Sequence, residues 1–125
     1  MRILVILISF LLLLGCSDPE VIRVGSPIND GSGEKIEFYK VVENTTKIND
    51  IRQIFDSVEE TSIPHSLSSD PDVFFTLDIP EKHVSEIQAY LWFLEDESAI
   101  AKRGQKYYSV SKEHSELLKY IFKKE

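Results

Sequence analysis

The sequence is poor in cysteine and in basic residues, and both shortages exclude classes of protein. A single cysteine among 125 residues excludes an internal disulfide framework and any multi-cysteine zinc site. There are 14 Lys and Arg residues against 21 Asp and Glu, which gives a formal net charge of −7. A general nucleic-acid-binding protein needs a basic face to neutralise phosphates, so we expect no nucleic acid among the partners. The length allows one small domain.

The motifs of common catalytic sites are also missing. The sequence has no G-x-S-x-G nucleophile turn, no G-x-x-x-x-G-K-[ST] phosphate loop and no G-x-G-x-x-G dinucleotide turn. His65, His83 and His114 come singly, from a predicted loop, turn and helix, whereas a metal site needs converging ligands. We therefore predict no cofactor, no metal and no enzymatic activity. The alternative is an accessory subunit or small envelope enzyme that uses His83 or His114 with a carboxylate.

The one long apolar run lies near the start of the chain. It extends from Ile3 to Leu14 and is interrupted only by Ser9. As a helix, this run would be about 18 Å long, which is too short for a hydrocarbon core of about 30 Å. Its length is typical of the apolar region of a signal peptide.

The residues that end this run resemble a known processing site. Leu13-Leu14-Gly15-Cys16 is similar to the bacterial lipobox, in which a diacylglycerol is attached to the cysteine before cleavage. The resemblance implies that residues 1–15 are a lipoprotein signal peptide and that Cys16 carries the lipid. It also implies a location on the extracytoplasmic face of a bacterial cell membrane. The alternative is a short buried or interfacial helix in which Cys16 has no special role.

The segment after Cys16 is predicted to be a flexible tether over residues 16–34. Its second half contains Asn29-Asp30-Gly31-Ser32-Gly33, which are turn and linker residues. Residues 35–125 are then expected to form a single domain.

This domain has the pattern of an α+β fold in the order β-α-β-β-β-β-α. Apolar residues at helical spacing predict a helix over Lys47–Glu59, with Thr45 or Thr46 as its cap. Ser111 is expected to cap a second helix that ends near Lys123. Short connections between strands favour antiparallel pairing, so we predict a mostly antiparallel sheet of four to five strands covered on one face by two helices. The predicted strands are Ile36–Val42, Asp72–Ile79, Glu86–Leu94, Ala99–Lys102 and Lys106–Val110.

The second half of the chain contains, in this order, Pro71-Asp72, Phe74, Phe75, Tyr90-Leu91-Trp92, Ile100, Tyr108, Val110-Ser111, Leu117 and Leu118. This order of motifs resembles that of small YhfM-type lipoproteins of Bacillus-like bacteria. The resemblance covers residues 35–124 and implies the same fold and the same envelope location. It implies no catalytic residues, because this family has no assigned chemistry.

Two groups of side chains are candidates for an interaction surface. Tyr90, Trp92 and Leu94 would form an exposed aromatic ladder, or else pack within a strand that is covered on both faces. The second group would contact anionic lipid or wall polymer, or else form an ordinary exposed turn. It consists of Lys102, Arg103, Lys106, Tyr107 and Tyr108.

These features predict a non-enzymatic binding domain that is anchored to the membrane through lipid on Cys16. The expected partner is an envelope protein or a wall component. A substrate-capturing lipoprotein of a transporter is disfavoured, because such binders close two lobes on a ligand and this chain has room for one.

Overall fold

The computed structural model describes residues 20–29, 31, 33–64, 67 and 70–124. The predicted signal peptide, Cys16 and His65 lie outside these residues. Within the described part, the chain forms seven strands, two α-helices and one short 3₁₀-helix. In chain order these are β1 (Val21–Asn29), β2 (Glu34–Val42), α1 (Thr45–Ser57), β3 (Glu59–Thr61), β4 (Val73–Ile79), the 3₁₀-helix (Pro80–Lys82), β5 (Val84–Phe93), β6 (Ala99–Arg103), β7 (Lys106–Val110) and α2 (Lys112–Phe122).

The strands form one sheet in the order β2-β1-β4-β5-β6-β7-β3, and every neighbouring pair is antiparallel. β1 and β2 form a hairpin at one edge of this sheet. α1 then carries the chain to β3 at the opposite edge, and β4 returns it to the side of β1. The next three strands fill the space between, so β5 lies in the middle of the sheet.

The predicted sheet of four to five strands in the order β-α-β-β-β-β-α is wrong, because the sequence pattern missed β1 and β3. β1 lies where we expected part of the flexible 16–34 tether, and that prediction is wrong for residues 21–29. Ile22 and Val24 on this strand are fully buried in the core. The folded domain therefore includes residues from Val21 onward and does not begin at residue 35.

β1 was not predicted because it contains Gly25 and Pro27, and both residue types are uncommon inside strands. Close packing explains why a glycine occupies position 25. A Cβ atom at Gly25 would lie 2.6 Å from Cγ2 of Ile36 and 3.0 Å from the carbonyl oxygen of Glu37, at an irregularity in the β1–β2 ladder. β3 was missed because it has three residues, two of them glutamates, which is typical of a short charged edge strand.

Both helices cover the same face of the sheet. Phe75 on β4 is fully buried, and its ring centroid lies 5.2 Å from that of Phe55 on α1 and 4.8 Å from that of Phe122 on α2. We call the opposite face, which carries Phe74 and Tyr90, the open face. The other buried apolar residues on the helix-covered side of the sheet are Ile22, Val24, Val42, Val73, Leu77, Ile87, Ala89, Leu91, Ala99, Ala101 and Val110.

Side-chain caps fix where the helices begin. Oδ1 of Asn44 accepts a hydrogen bond from the Lys47 N–H at 3.1 Å, so the cap of α1 is Asn44 and not one of the two predicted threonines. The predicted Ser111 cap of α2 is confirmed, since its Oγ accepts from the His114 N–H at 3.3 Å. Each such cap contributes about 1 kcal/mol to stability.

Candidate functional site

A row of aromatic side chains crosses the open face. The ring centroids of Phe38 and Phe74 are 6.4 Å apart, and those of Phe74 and Tyr90 are 4.8 Å apart. Farther along the sheet, the rings of Trp92 and Tyr107 are 6.2 Å apart. We call these five residues the aromatic row.

The strand register brings the aromatic row together from four strands. Phe74 on β4 is paired with Tyr90 on β5, and Tyr90 is paired with Lys102 on β6. Lys102 is paired in turn with Tyr107 on β7, and its Nζ lies 5.6 Å from the centroid of that ring. Trp92 follows Tyr90 by two residues on β5, so both side chains lie on the same face.

The aromatic row is exposed at one end and covered at the other. Phe38 is 49% exposed, and Val41 on the same strand is 58% exposed. Trp92 is only 7% exposed and lines a cleft of about 470 Å³ with Leu67 and Asp72. Of the two aromatic residues in the predicted ladder, half-buried Tyr90 is therefore accessible, whereas Trp92 belongs to the interior.

The phenol of Tyr90 is held by the neighbouring hairpin. Burial raises the pKa of Tyr90 above its usual value, and a hydrogen bond to the Glu34 carboxylate raises it further. Glu34 is the first residue of β2, so the β1–β2 hairpin reaches the middle of the aromatic row. A ligand that binds the Tyr90 hydroxyl would have to compete with this hydrogen bond.

The predicted group of basic and aromatic residues is divided between the two faces. Arg103 and Lys106 are paired on the helix-covered side. The guanidinium carbon of Arg103 lies 5.8 Å from the ring centroid of Phe55, and Nζ of Lys106 lies 4.0 Å from Oε2 of Glu60. The predicted surface residues that do share the open face are Tyr90, Trp92, Lys102 and Tyr107.

A second group of polar side chains surrounds Asp78 near the end of β4. Oγ of Ser85 donates to Oδ1 of Asp78 at 2.5 Å, and Oγ1 of Thr76 donates to Oδ2 at 3.1 Å. Nε of Arg23 lies 3.5 Å from the same Oδ2. His83 lines the open cavity of about 540 Å³ that Asp78 and Ser85 also line. Its backbone is left-handed, with a φ of 53°, which is uncommon for residues other than glycine.

His114 has no comparable surroundings. It is half-buried in the first turn of α2, where its N–H takes part in the Ser111 cap. Within residues 20–124 as described, no group of three or more His, Cys, Asp and Glu side chains could hold a metal ion. Over the same residues, neither helix is long and apolar enough to cross a membrane.

An ion-pair cluster that the sequence did not predict ties α1 to two strands. Nη2 of Arg52 lies 2.8 Å from Oε1 of Glu20, just before β1. The same guanidinium donates to both carboxylate oxygens of Glu86 on β5, at 2.8 and 3.0 Å. These hydrogen bonds raise the pKa of Arg52 and hold the pKa of Glu86 below its usual value. The three residues are far apart in the sequence, so no local sequence pattern predicts the cluster.

Comparison with known protein families matches residues 24–125 to the family described as YhfM protein. The chain belongs to this family. The resemblance of residues 35–124 to a YhfM domain is therefore confirmed, and the match also reaches back into β1. No curated protein matches this YhfM-family chain.

The fold of this YhfM-family chain is also similar to a solved structure. It resembles the crystal structure of a thioesterase-like protein from Clostridium sporogenes, with a TM-score of 0.60 and 15% sequence identity. The similarity covers 82% of this chain and 93% of the other. At so low an identity, the similarity shows a shared fold and says nothing of a shared activity.

The Arg52 cluster predicts how stability depends on pH. Because the pKa of Glu86 is lowered in the folded state, the pair stabilises the fold above the ordinary glutamate pKa of about 4.3. This contribution to stability is lost as the pH falls through the lowered pKa of Glu86 in the folded state. We expect Arg52→Ala to reduce the free energy of unfolding by about 1 kcal/mol at neutral pH, measured by urea titration.

The variant should also lose less stability than the wild type when the pH is lowered from neutral to acidic. Arg23→Ala is the matched control, because the Arg23 side chain is 57% exposed and its ion pair is longer, at 3.5 Å. An identical pH dependence in the wild type and Arg52→Ala would contradict the assignment.

Proposed function

We propose that this protein is a lipid-anchored, non-enzymatic domain of the bacterial cell envelope that binds a partner protein through the aromatic row. The observation that carries the proposal is the open face itself. Neither helix covers it, and its aromatic row ends in Phe38. Phe38 and Val41 on the same strand are about half exposed to solvent.

The composition of this face is that of a protein-binding surface. Each Å² of apolar surface left in water costs about 25 cal/mol, so clustered exposed apolar residues usually mark a contact site. Aromatic residues are enriched in the centres of protein interfaces, and polar residues form their rims. Here the rings are bordered by Arg23 and Gln88, which are exposed, and by Lys102, which lies beside Tyr107.

The aromatic row is also held in place before any partner binds. Each ring sits on a strand that is paired on both sides or, at β2, on one side. The ring of Phe74 contacts those of Phe38 and Tyr90, and the ring of Trp92 contacts that of Tyr107. Side chains that are already ordered lose little conformational entropy on binding. This favours recognition by a rigid surface over recognition by a flexible loop.

The binding prediction uses two exposed aromatic residues in different places. We expect the chain from Ser17 onward to capture an envelope protein, and the purified partner to bind Phe38→Ser at least about tenfold more weakly than the wild type. Tyr120→Ser is the matched control, because Tyr120 is 58% exposed but lies on α2. Affinities would be measured by calorimetry after circular dichroism has shown that both variants fold.

Equal affinity of the wild type and Phe38→Ser for the partner would contradict the use of the aromatic row. Binding of purified wall polymer that is lost in Phe38→Ser, with no protein bound, would replace the proposed partner by a wall component.

The lipid anchor is proposed from the lipobox-like residues that end at Cys16. We expect palmitate supplied to a bacterial host to label the wild-type chain and not Cys16→Ala, because Cys16 is the only thiol in the chain. Ser17→Ala is the matched control and should be labelled like the wild type. Labelling of Cys16→Ala to the wild-type extent would refute the anchor.

A second candidate function is hydrolysis at the cavity that holds Asp78, Ser85 and His83. The Asp78 carboxylate already accepts a hydrogen bond from the Ser85 hydroxyl, and a carboxylate so placed can act as a general base. The similarity in fold to a thioesterase-like protein makes thioesters the substrates to try first.

We expect the chain from Ser17 onward to hydrolyse acyl-CoA no faster than the uncatalysed reaction, followed by release of the free thiol. Activity that falls at least about a hundredfold in His83→Ala, and persists in Lys82→Ala, would replace the binding proposal by an enzymatic one. Lys82 is the exposed neighbour of His83 and serves as its control.

A further inference from the structure

Lysine side chains from three elements gather at one corner of the molecule. Nζ of Lys47, in the first turn of α1, lies 5.6 Å from the ring centroid of Tyr120, and Nζ of Lys123 lies 5.3 Å from the same centroid. Lys40 on β2 donates to the carbonyl oxygen of Lys123 at 3.2 Å. Lys124 follows directly. We call Lys40, Lys47, Tyr120, Lys123 and Lys124 the basic corner.

The helix dipole of α2 explains the positions of only some of the lysines in the basic corner. Lysines near the C-terminus of α2 interact favourably with its helix dipole, which explains Lys123 and Lys124. Lys40 and Lys47 belong to β2 and to the start of α1, so the same argument does not place them there. Tyr120 is the most exposed aromatic residue at this corner, at 58%.

The opposite ends of both helices are acidic. Glu59 and Glu60 follow the C-terminus of α1. The turn 95–97 lies beside the start of α2 and consists of three acidic residues, of which Glu97 pairs with Lys112 at 2.6 Å. Since α1 and α2 are about 20 and 16 Å long, positive and negative charge lie at opposite ends of a small domain with a net charge of −7.

The basic corner is close to the place where the chain enters the fold. Val24 on β1 is paired with Lys40, and Ile22 is paired with Val42. From Cys16 to Glu20, four residues span at most about 14 Å. Arg52 offsets one of the two carboxylates that it pairs with, Glu20 and Glu86, and Glu43 offsets one lysine charge.

We propose that the basic corner binds anionic lipid headgroups and so fixes the orientation of the anchored domain on the membrane. The inference rests on the proposed anchor at Cys16. Each lysine near an anionic membrane contributes about 1 kcal/mol of attraction, while the acidic ends of the helices are repelled. Tyrosine is favoured at the membrane interface.

This orientation turns the helix-covered side of the β2 edge toward the lipid. Lys40 faces the helices, whereas Phe38 and Val41 on the same strand face the other way. The aromatic row therefore stays accessible to a partner while the basic corner is on the membrane.

The experiment uses the single cysteine to supply the anchor chemically. The chain from Cys16 onward is coupled through its thiol to a maleimide lipid in vesicles of phosphatidylcholine, with or without about 30% phosphatidylglycerol. Acetylation of each lysine is then followed by mass spectrometry. We expect the lysines of the basic corner to react at least about threefold more slowly on anionic vesicles, and high salt to remove this protection.

Lys82 and Lys106 are the internal references, because both are exposed and lie outside the basic corner. In Lys123→Gln/Lys124→Gln, protection of Lys47 should disappear, whereas in Lys82→Gln/Lys106→Gln it should persist. Equal reaction rates on both kinds of vesicle, or protection of Lys82 and Lys106 instead, would overturn the proposal.

The outcome is independent of native lipidation, because the maleimide coupling does not require the lipobox. Failure of palmitate labelling at Cys16 would refute the anchor and leave the test of lysine protection unaffected. Absence of lysine protection on anionic vesicles would refute the orientation and leave the anchor unaffected.

Discussion

Phe75 is the side chain on which the packing of this domain depends. It is fully buried on β4, and rings from both helices contact it, Phe55 from α1 and Phe122 from α2. A buried phenylalanine contributes about 3–5 kcal/mol relative to alanine, which is a large share of the net stability of a small domain. Because both helices need this contact, they lie on one face of the sheet, and neither helix covers the other face.

The two faces of the sheet carry different groups of residues. The helix-covered face holds the core and the Arg52 cluster, which fixes the first described residue, Glu20, against α1 and β5. The open face carries Phe38 at its exposed end, and the core does not require this ring, since it remains 49% exposed. The charges are separated along the helices. Lysines lie at the start of α1 and the end of α2, and glutamates lie at the opposite ends.

Local signals explain which elements could be predicted. α2 begins at a serine cap and has a regular apolar stripe, so its start was found. β1 contains Gly25 and Pro27, and its strand pairing depends on residues far along the chain. The aromatic row joins residues between 38 and 107 through strand register, for which the sequence has no local signal. Alternation alone would have separated Lys102 from Arg103, because adjacent strand residues face opposite sides.

The proposed anchor, the basic corner and the aromatic row are compatible when the basic corner faces the lipid and the aromatic row faces away from it. An apolar row that faced the lipid would insert into it instead of binding a protein. A short connection to Cys16 does not prevent this by itself, since it limits distance and not orientation. The charge difference between the helix ends would supply the missing constraint, because it attracts the Lys40 side of β2 to anionic lipid and repels the edge formed by β3. Phe38 lies on the same strand as Lys40 but on the other face, so attraction at the lysine would keep the aromatic row in water.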